Sequence, residues 1–483
     1  WRQLPYIAEL EKAGIPTVLL DLEDQHNMVE QEARAQGVPN IRFLPASRTL
    51  PGPDDVELFT EKMLNALTDP LTEKENESGH WEPPQPRIIF EGTMDDAEDF
   101  YQQAERIPHP VNAPIAIYTD GSPIRLPTEE RVKKMLTGTS HKPDEIITYQ
   151  KDRLTMRGQL KKGDPVAFQP MGWNATVEKV ATIAVMAGCK PEHLPVALAI
   201  AESGCPIEST HSLGQWVCVS GPIVEEIEMS SGCGMLGCGN PSNMAIGRLH
   251  ALMARNLGGA IMGVNRMPSL SSPFTRGAAA AENTNGLPPG WKGLNEEAGF
   301  NKDESAVAVF SVPAGIRGVQ HSPGGYRALQ KSGHGGMARR LDVKGIPGPH
   351  NWLNYVLPEL WAGREGPHTI IMIPEMARHL YDIGFKSKDE VYEWLWKQSF
   401  MTVEQYKKFS WVDFTTNGWM GIEPISGKHW KELPDDHMVP AGGTDSSGFC
   451  IIVGGGDEEV AQEIQGGRGP AGGGPIYGID AWR

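Results

Sequence analysis

Cys233 and Cys238 carry the most chemical potential in the chain, in the segment SGCGMLGCGNPSN. Cys238 stands two residues before Asn240, a natural helix cap, with Pro241 suited to the first helical position. The positive end of a helix favours a thiolate over a thiol, so a glycine-lined cysteine there suits nucleophilic or redox work. The spacing is C-x4-C, neither the C-x2-C of dithiol redox sites nor a common zinc spacing. Two buried cysteines in a tight loop are the plain alternative. Successive backbone N–H groups ahead of a helix also make a nest for a phosphate or carboxylate. Gly239, Asn240, Ser242 and Asn243 are the candidate ligands of such an anion, with ordinary turn geometry as the competing reading. No Gly-Lys-Ser/Thr follows, and although Gly232, Gly234 and Gly237 have G-x-G-x-x-G spacing, they do not come directly after the strand read at 215–221, so this is not the full dinucleotide fingerprint.

Acid–base candidates are dispersed. His211 precedes an apolar run, Glu282 sits beside Asn283 in AENTNG, and Asp120 occupies the turn YTDGSP. Each could move a proton, and each could equally be a hydrogen-bonded loop residue. Arg317, with Arg327, Arg339 and Arg340, could clamp an anionic substrate or simply charge the surface. The histidines show no H-x-H, H-E-x-x-H or H-x3-H spacing. No cofactor is signalled, and a metal stays unknown, since distant ligands can converge in three dimensions.

These residues need elements to hold them. Leu4, Ile7, Leu10 and Ala13 give a helical stripe, and PTVLLDL (16–22) and NIRFLPA (40–46) read as buried parallel strands with a helix between. RIIFEGT (87–93) reads as another strand and 94–106 as a helix. Helical faces follow at 174–188 and from Pro191 to Gly204, then a strand over 215–221. The Gly-Cys loop runs into a helix that presents Ile246, Leu249, Met253 and Leu257 on one face. AVAVFSV (306–312), HTIIMI (368–373) and FCIIVGGG (449–456) read as buried strands. TIIMIPEMARHLYDIGF and CIIVGGGDEEVAQEI both read as strand, short loop, helix.

The expected fold class is therefore α/β and multi-domain, in keeping with 483 residues at about 150 per domain. The expected division is an N-terminal parallel α/β module lacking its front edge (1–65), an acidic linker with a strand and helix (66–115), a helix-rich α/β domain with the Gly-Cys loop (116–312) and a C-terminal α/β domain (313–483). With 55 Gly and 39 Pro the chain is loop-rich. Its net charge of −17 argues against nucleic acid or an anionic membrane as partner. Fifteen Asp/Glu against four Lys/Arg fall within 52–106, which reads as a solvated linker face. Six cysteines are too sparse for a disulfide framework, no apolar run is long enough to span a bilayer, and no leader opens the chain. A cytoplasmic setting is expected. The open front edge and the Trp-rich faces favour a homo-oligomer.

Several blocks in one order resemble a known family. LEKAGIPTV and VPNIRFLPA are similar to the N-terminal module of the UGSC family of (seleno)proteins, named for a Sec/Cys-Gly-Ser-Cys motif. YTDGSPIRLPTEERVKKML, NATVEKVATIAVMAGCKPEHLPVALA, SGCGMLGCGNPSNMAIGR and AENTNG resemble the larger module of its longer members. The resemblance covers residues 4–50 and 88–312 and implies thiol or selenol redox chemistry. In that family the Sec/Cys motif comes shortly before the first helix, and no cysteine precedes Cys189 in this chain. The resemblance thus also implies an upstream or separate Cys/Sec-bearing chain as a possible partner.

The leading expectation is a thiol-dependent oxidoreductase acting on a small anionic electrophile through Cys233 and Cys238, with His211 or Glu282 handling protons. A lyase or hydratase using Asp120, His211 and Glu282, with or without a metal, is the second. A substrate-binding subunit for a separate redox chain is the third.

Overall fold

The computed structural model describes residues 4–23, 26–46, 56–77, 86–107, 111–155, 158–205, 214–237, 239–262, 266, 277–312, 320–321, 350–355, 357, 360, 368–405, 422–423, 425–429, 432–440, 443–456, 461–465 and 475–483. Among the candidate residues, Cys238, His211 and Arg317 lie outside these, as do Arg327, Arg339 and Arg340.

The N-terminal module is a β–α–β unit. Helix α1 (Leu4–Lys12) leads to strand β1 (Leu19–Leu22), helix α2 (His26–Ala35) and strand β2 (Phe43–Ala46), and the strands pair in parallel, Leu19 opposite Phe43. Leu4, Leu19, Val29 and Ala33 form its small core. Leu10, expected on the buried stripe of α1, is 42% exposed. Ala8, one turn from Leu4, takes the buried face instead.

Helix α3 (Val56–Thr68) follows, and then α4 (Met94–Tyr101) with the antiparallel pair β3 (Ala104–Ile107) and β4 (Ala113–Ala116). The strand expected over 87–93 does not form: Ile88 and Ile89 are exposed, and Thr93 caps α4 in a capping box with Asp96. The helix stops at Tyr101 because Ala104–Ile107 finds a strand partner in Ala113–Ala116.

The central part comprises α5 (Glu129–Met135), the hairpin β5 (Arg153–Thr155) and β6 (Gly158–Leu160), α6 (Val177–Ala187), α7 (Leu194–Ala201), β7 (Gly214–Ser220), α8 (Ile223–Glu226), α9 (Pro241–Asn256), β8 (Ala278–Ala281), α10 (Leu294–Glu297) and β9 (Ala306–Val312). Beyond it come β10 (Gln320–His321), β11 (His368–Met372), α11 (Pro374–Asp382), α12 (Lys388–Gln398), β12 (Met401–Thr402), β13 (Met438–Val439), β14 (Phe449–Val453), β15 (Ala461–Gln465) and β16 (Ile476–Gly478). The helix expected after FCIIVGGG is instead β15, which inserts between β10 and β11. Two flanking strands supply ladder partners on both sides, and such tertiary pairing overrides local helical preference.

Two four-stranded mixed sheets result, ordered β16-β9-β7-β8 and β10-β15-β11-β14. In each, one adjacent pair is parallel: β7 with β8, and β11 with β14. Side chains alternate across a strand, and here both faces are buried. Val217, Val219, Ala279, Val307 and Val309 turn to the helical layer of α6, α7 and α9. Trp216, Cys218, Ala280, Ala308 and Phe310 turn the other way and meet Ile371, Cys450 and Ile452 of the second sheet. That sheet's remaining face, with Ile370, Met372, Ile451 and Val453, packs on Met376, Leu380, Val391 and Leu395 of α11 and α12. The molecule is thus an α/β protein whose larger part has four layers: helices, sheet, sheet, helices. The chain returns to the first sheet at β16, and Ile479 and Trp482 join its helical core. A division drawn at residue 313 therefore leaves one strand of the central sheet on the far side.

Candidate functional site

The carboxyl ends of both parallel pairs meet at one end of the two sheets, the region where open α/β sheets bind their ligands. After β8, the Glu282 N–H donates to the Val219 carbonyl at 2.8 Å and the Asn283 N–H to the Val453 carbonyl at 2.8 Å, tying one sheet to the other. After β14, the Gly454 N–H donates to the Met372 carbonyl at 2.9 Å and the Gly455 N–H to the Ser231 carbonyl at 2.8 Å. The glycines allow a close approach to the cysteine loop. A Cβ on Gly454 would fall 2.5 Å from Met235 Sδ, and one on Gly456 would fall 2.8 Å from Cys233 Cβ and 3.3 Å from its Sγ.

Cys233 is the one exposed thiol among the described cysteines. Cys189, Cys205, Cys218 and Cys450 are buried, and burial pushes Cys189 and Cys205 up to about 12 and drives Cys218 and Cys450 upward as well. Those four are held as neutral thiols at ordinary pH.

The loop is anchored from the start of α9. Asn240 caps the helix, its side chain accepting from the Asn243 N–H at 3.0 Å and donating to the Glu228 carbonyl at 2.8 Å. Buried Asn243 accepts from the Ser230 N–H at 2.9 Å and donates to the Ser230 and Ala279 carbonyls at 3.1 and 3.3 Å. Ser242 donates to the Ile227 carbonyl at 2.7 Å and lies 3.2 Å from His193 Nε2. These three side chains are engaged in holding the loop rather than turned to a ligand. Gly239, at φ +121°, makes the turn into the cap that a residue with a Cβ would resist. Asn283 accepts from the Gly286 N–H at 2.9 Å and shapes the next turn.

Beneath this surface lies a buried polar cluster. Glu282 Oε2 accepts from Ser220 Oγ and from the Leu294 N–H, both at 2.7 Å, and Oε1 accepts from Lys388 Nζ at 3.0 Å. Lys388 also donates to Glu297 Oε2 at 3.1 Å and to the Ile451 carbonyl at 2.8 Å. Tyr392, one turn along α12, donates to Glu297 Oε1 at 2.9 Å and accepts from the Ile451 N–H at 3.0 Å. Burial opposes the Lys388 charge, but Glu282 and Glu297 outweigh it and hold the ammonium above its ordinary pKa. For Glu297 burial wins over Lys388, and its pKa is raised.

Asp120 is placed elsewhere. Arg248 grips it with two bonds, 2.9 Å to Oδ2 and 2.8 Å to Oδ1, and the Ser122 N–H donates to Oδ1 at 3.2 Å. Its partners share no residue with those of Glu282. A shallow depression lined by Ser140, His141, Lys142, Asp144 and Glu145 is also separate; there His141 is held by Glu145 at 2.8 Å and the Ala481 carbonyl at 2.9 Å. Among the described residues no group of three or more His, Cys, Asp or Glu side chains could hold a metal ion. No helix among them is long and apolar enough to cross a membrane.

No family model, curated protein or solved structure matches this chain.

Sequence reasoning singled out Cys233 and, as an acid–base group, Glu282, but gave no attention to Gly454–Gly456, Lys388, Tyr392, Ser220 and Glu297, which the structure brings together around them. The run of three glycines directly after an apolar strand was the available signal for the first; a lysine opening a helix gives no sign that it is buried.

Proposed function

We propose that the protein is a thiol-dependent oxidoreductase of a small anionic electrophile, with Cys233 as its nucleophile and Cys238 as the resolving thiol. One observation carries this reading: the exposed thiol of Cys233 lies against the Gly454–Gly456 turn, where the carboxyl ends of four strands meet. The Gly454 and Gly455 N–H groups fix the turn through the Met372 and Ser231 carbonyls, and among the described residues the Gly456 N–H, next to Cys233, is the one in the turn left to favour an anion nearby. With a disulfide as substrate, the Cys233 thiolate attacks one sulfur, forms a mixed disulfide and releases a thiolate. Cys238 then attacks Cys233 and releases the second thiolate, so two electrons pass from the cysteine pair to the substrate. A dithiol reductant must restore the pair. Glu282, buried beneath the site and held by three donors, supports it and does not carry its protons. The cysteine loop and its flanking blocks also support membership of the UGSC family as part of the same proposal.

The test is to treat the reduced protein with oxidised glutathione and follow intact and peptide masses. The expected sequence is a glutathione adduct on Cys233 followed by an internal disulfide between Cys233 and Cys238. Cys233→Ser should abolish both products, and Cys238→Ser should trap the adduct. Unchanged behaviour in Cys233→Ser would sink the reading.

A further inference from the structure

We propose that Lys388 is a positioning residue for the cysteine site, pinning the edge strands β8 and β14 so that the Gly454–Gly456 turn keeps its place against Cys233. This rests on the thiol reading above. Among the described residues β8 and β14 are the last strands of their sheets, on the side where Glu282 and α12 lie. An edge strand leaves main-chain groups without ladder partners, and buried ones must be satisfied. At Ile451 both groups are taken by one face of α12: the N–H by Tyr392 and the carbonyl by Lys388, side chains one turn apart.

Lys388 has three protons to donate and three acceptors in place, on three different elements: Ile451 of β14, Glu282 at the end of β8 and Glu297 of α10. It is 2% exposed, so no water competes for these bonds. From the pinned strands the path to the thiol is short. Two residues past Ile451, Val453 accepts from Asn283, the neighbour of Glu282; Gly455 then holds Ser231, and Gly456 touches Cys233. A shift of β14 against β8 changes where the glycine turn sits, and with it the Gly456 N–H beside the thiol. A surface lysine would do none of this.

The experiment compares alkylation of Cys233 by iodoacetate and by iodoacetamide, reagents that differ in charge, using the full reduced chain and peptide mass spectrometry. The ratio of the two rates reports the anion preference of the site and is insensitive to stability as such. In the unaltered protein the ratio should exceed that of a cysteine peptide by about tenfold, the scale at which local field raises the encounter of an opposite charge. Lys388→Met should bring it down to the peptide value. Because that variant strands Glu282 and Glu297, the triple variant Lys388→Met with Glu282→Gln and Glu297→Gln, in which the three paired charges are removed together, is measured beside it, with circular dichroism checking both folds. A folded variant that keeps the raised ratio overturns the pin and leaves the thiol reading standing. A peptide-like ratio in the unaltered protein overturns the anion-binding thiol reading itself. If neither variant folds, Lys388 determines the fold and the positioning role is wrong.

Discussion

At the scale of single residues, this chain shows how often a chemically capable side chain is occupied with holding the fold. Asp120 reads in sequence as an acid–base candidate, yet Arg248 clamps both of its oxygens. Burial works against the carboxylate, but the Arg248 bonds outweigh it and keep its pKa below the ordinary value. A carboxylate depressed on folding contributes stability above its unfolded pKa of about 3.9 and loses it as pH falls through the folded value. Asp120→Asn should therefore cost about 1 kcal/mol at pH 7, allowing for its partial exposure. The deficit should shrink below about pH 4 and vanish once the native carboxyl is protonated. Urea unfolding of both proteins at pH 7, 5 and 3 checks this; a deficit independent of pH would contradict the ion pair. Cys233 and Glu282 were legible because thiols and isolated acids announce themselves. Lys388 and Tyr392 were not, since their roles come from the free edge of a strand more than fifty residues away in sequence.

At the scale of elements, local signals succeeded where a segment's own residues decide its shape. Asn240, Pro241 and the spacing of Ile246, Leu249 and Met253 foretold α9, and all three apolar residues are buried. The same signals failed at β15 and at 87–93, where partners or exposure settle the outcome. The seat of α9 on β8 is set by Gly247. A Cβ there would fall 2.8 Å from the Ala278 carbonyl carbon and 2.8 Å from the Ala279 nitrogen, main-chain atoms that cannot turn aside. Gly247→Ala should lift the helix from the strand and cost about 2 kcal/mol, despite alanine's better helix propensity. Thermal melts would decide: a rise in melting temperature means the contact is slack.

At the scale of the whole molecule, the four-layer arrangement was hidden. A strand apolar on both faces reads as buried, but nothing in it says whether helices or a second sheet will cover each face. Trp216 stacks on Phe310 with ring centroids 4.1 Å apart in the layer between the sheets. Trp216→Ala should cost about 3–5 kcal/mol. Because the layer is shared, hydrogen exchange should speed up in β14 as well as in β7; acceleration confined to β7 would mean the sheets unfold separately.

The return of the chain at β16 has a consequence for how the protein is made. The ladder of β9 waits for Ile476–Gly478, and the core of α6 and α7 waits for Ile479 and Trp482. A ribosome adding about 5–20 residues per second needs on the order of ten seconds or more between Val312 and Ile476. Throughout that interval β9 is bare along one side and the tryptophan socket is unfilled. The order of synthesis thus leaves an aggregation-prone edge open until Ile476–Gly478 arrives.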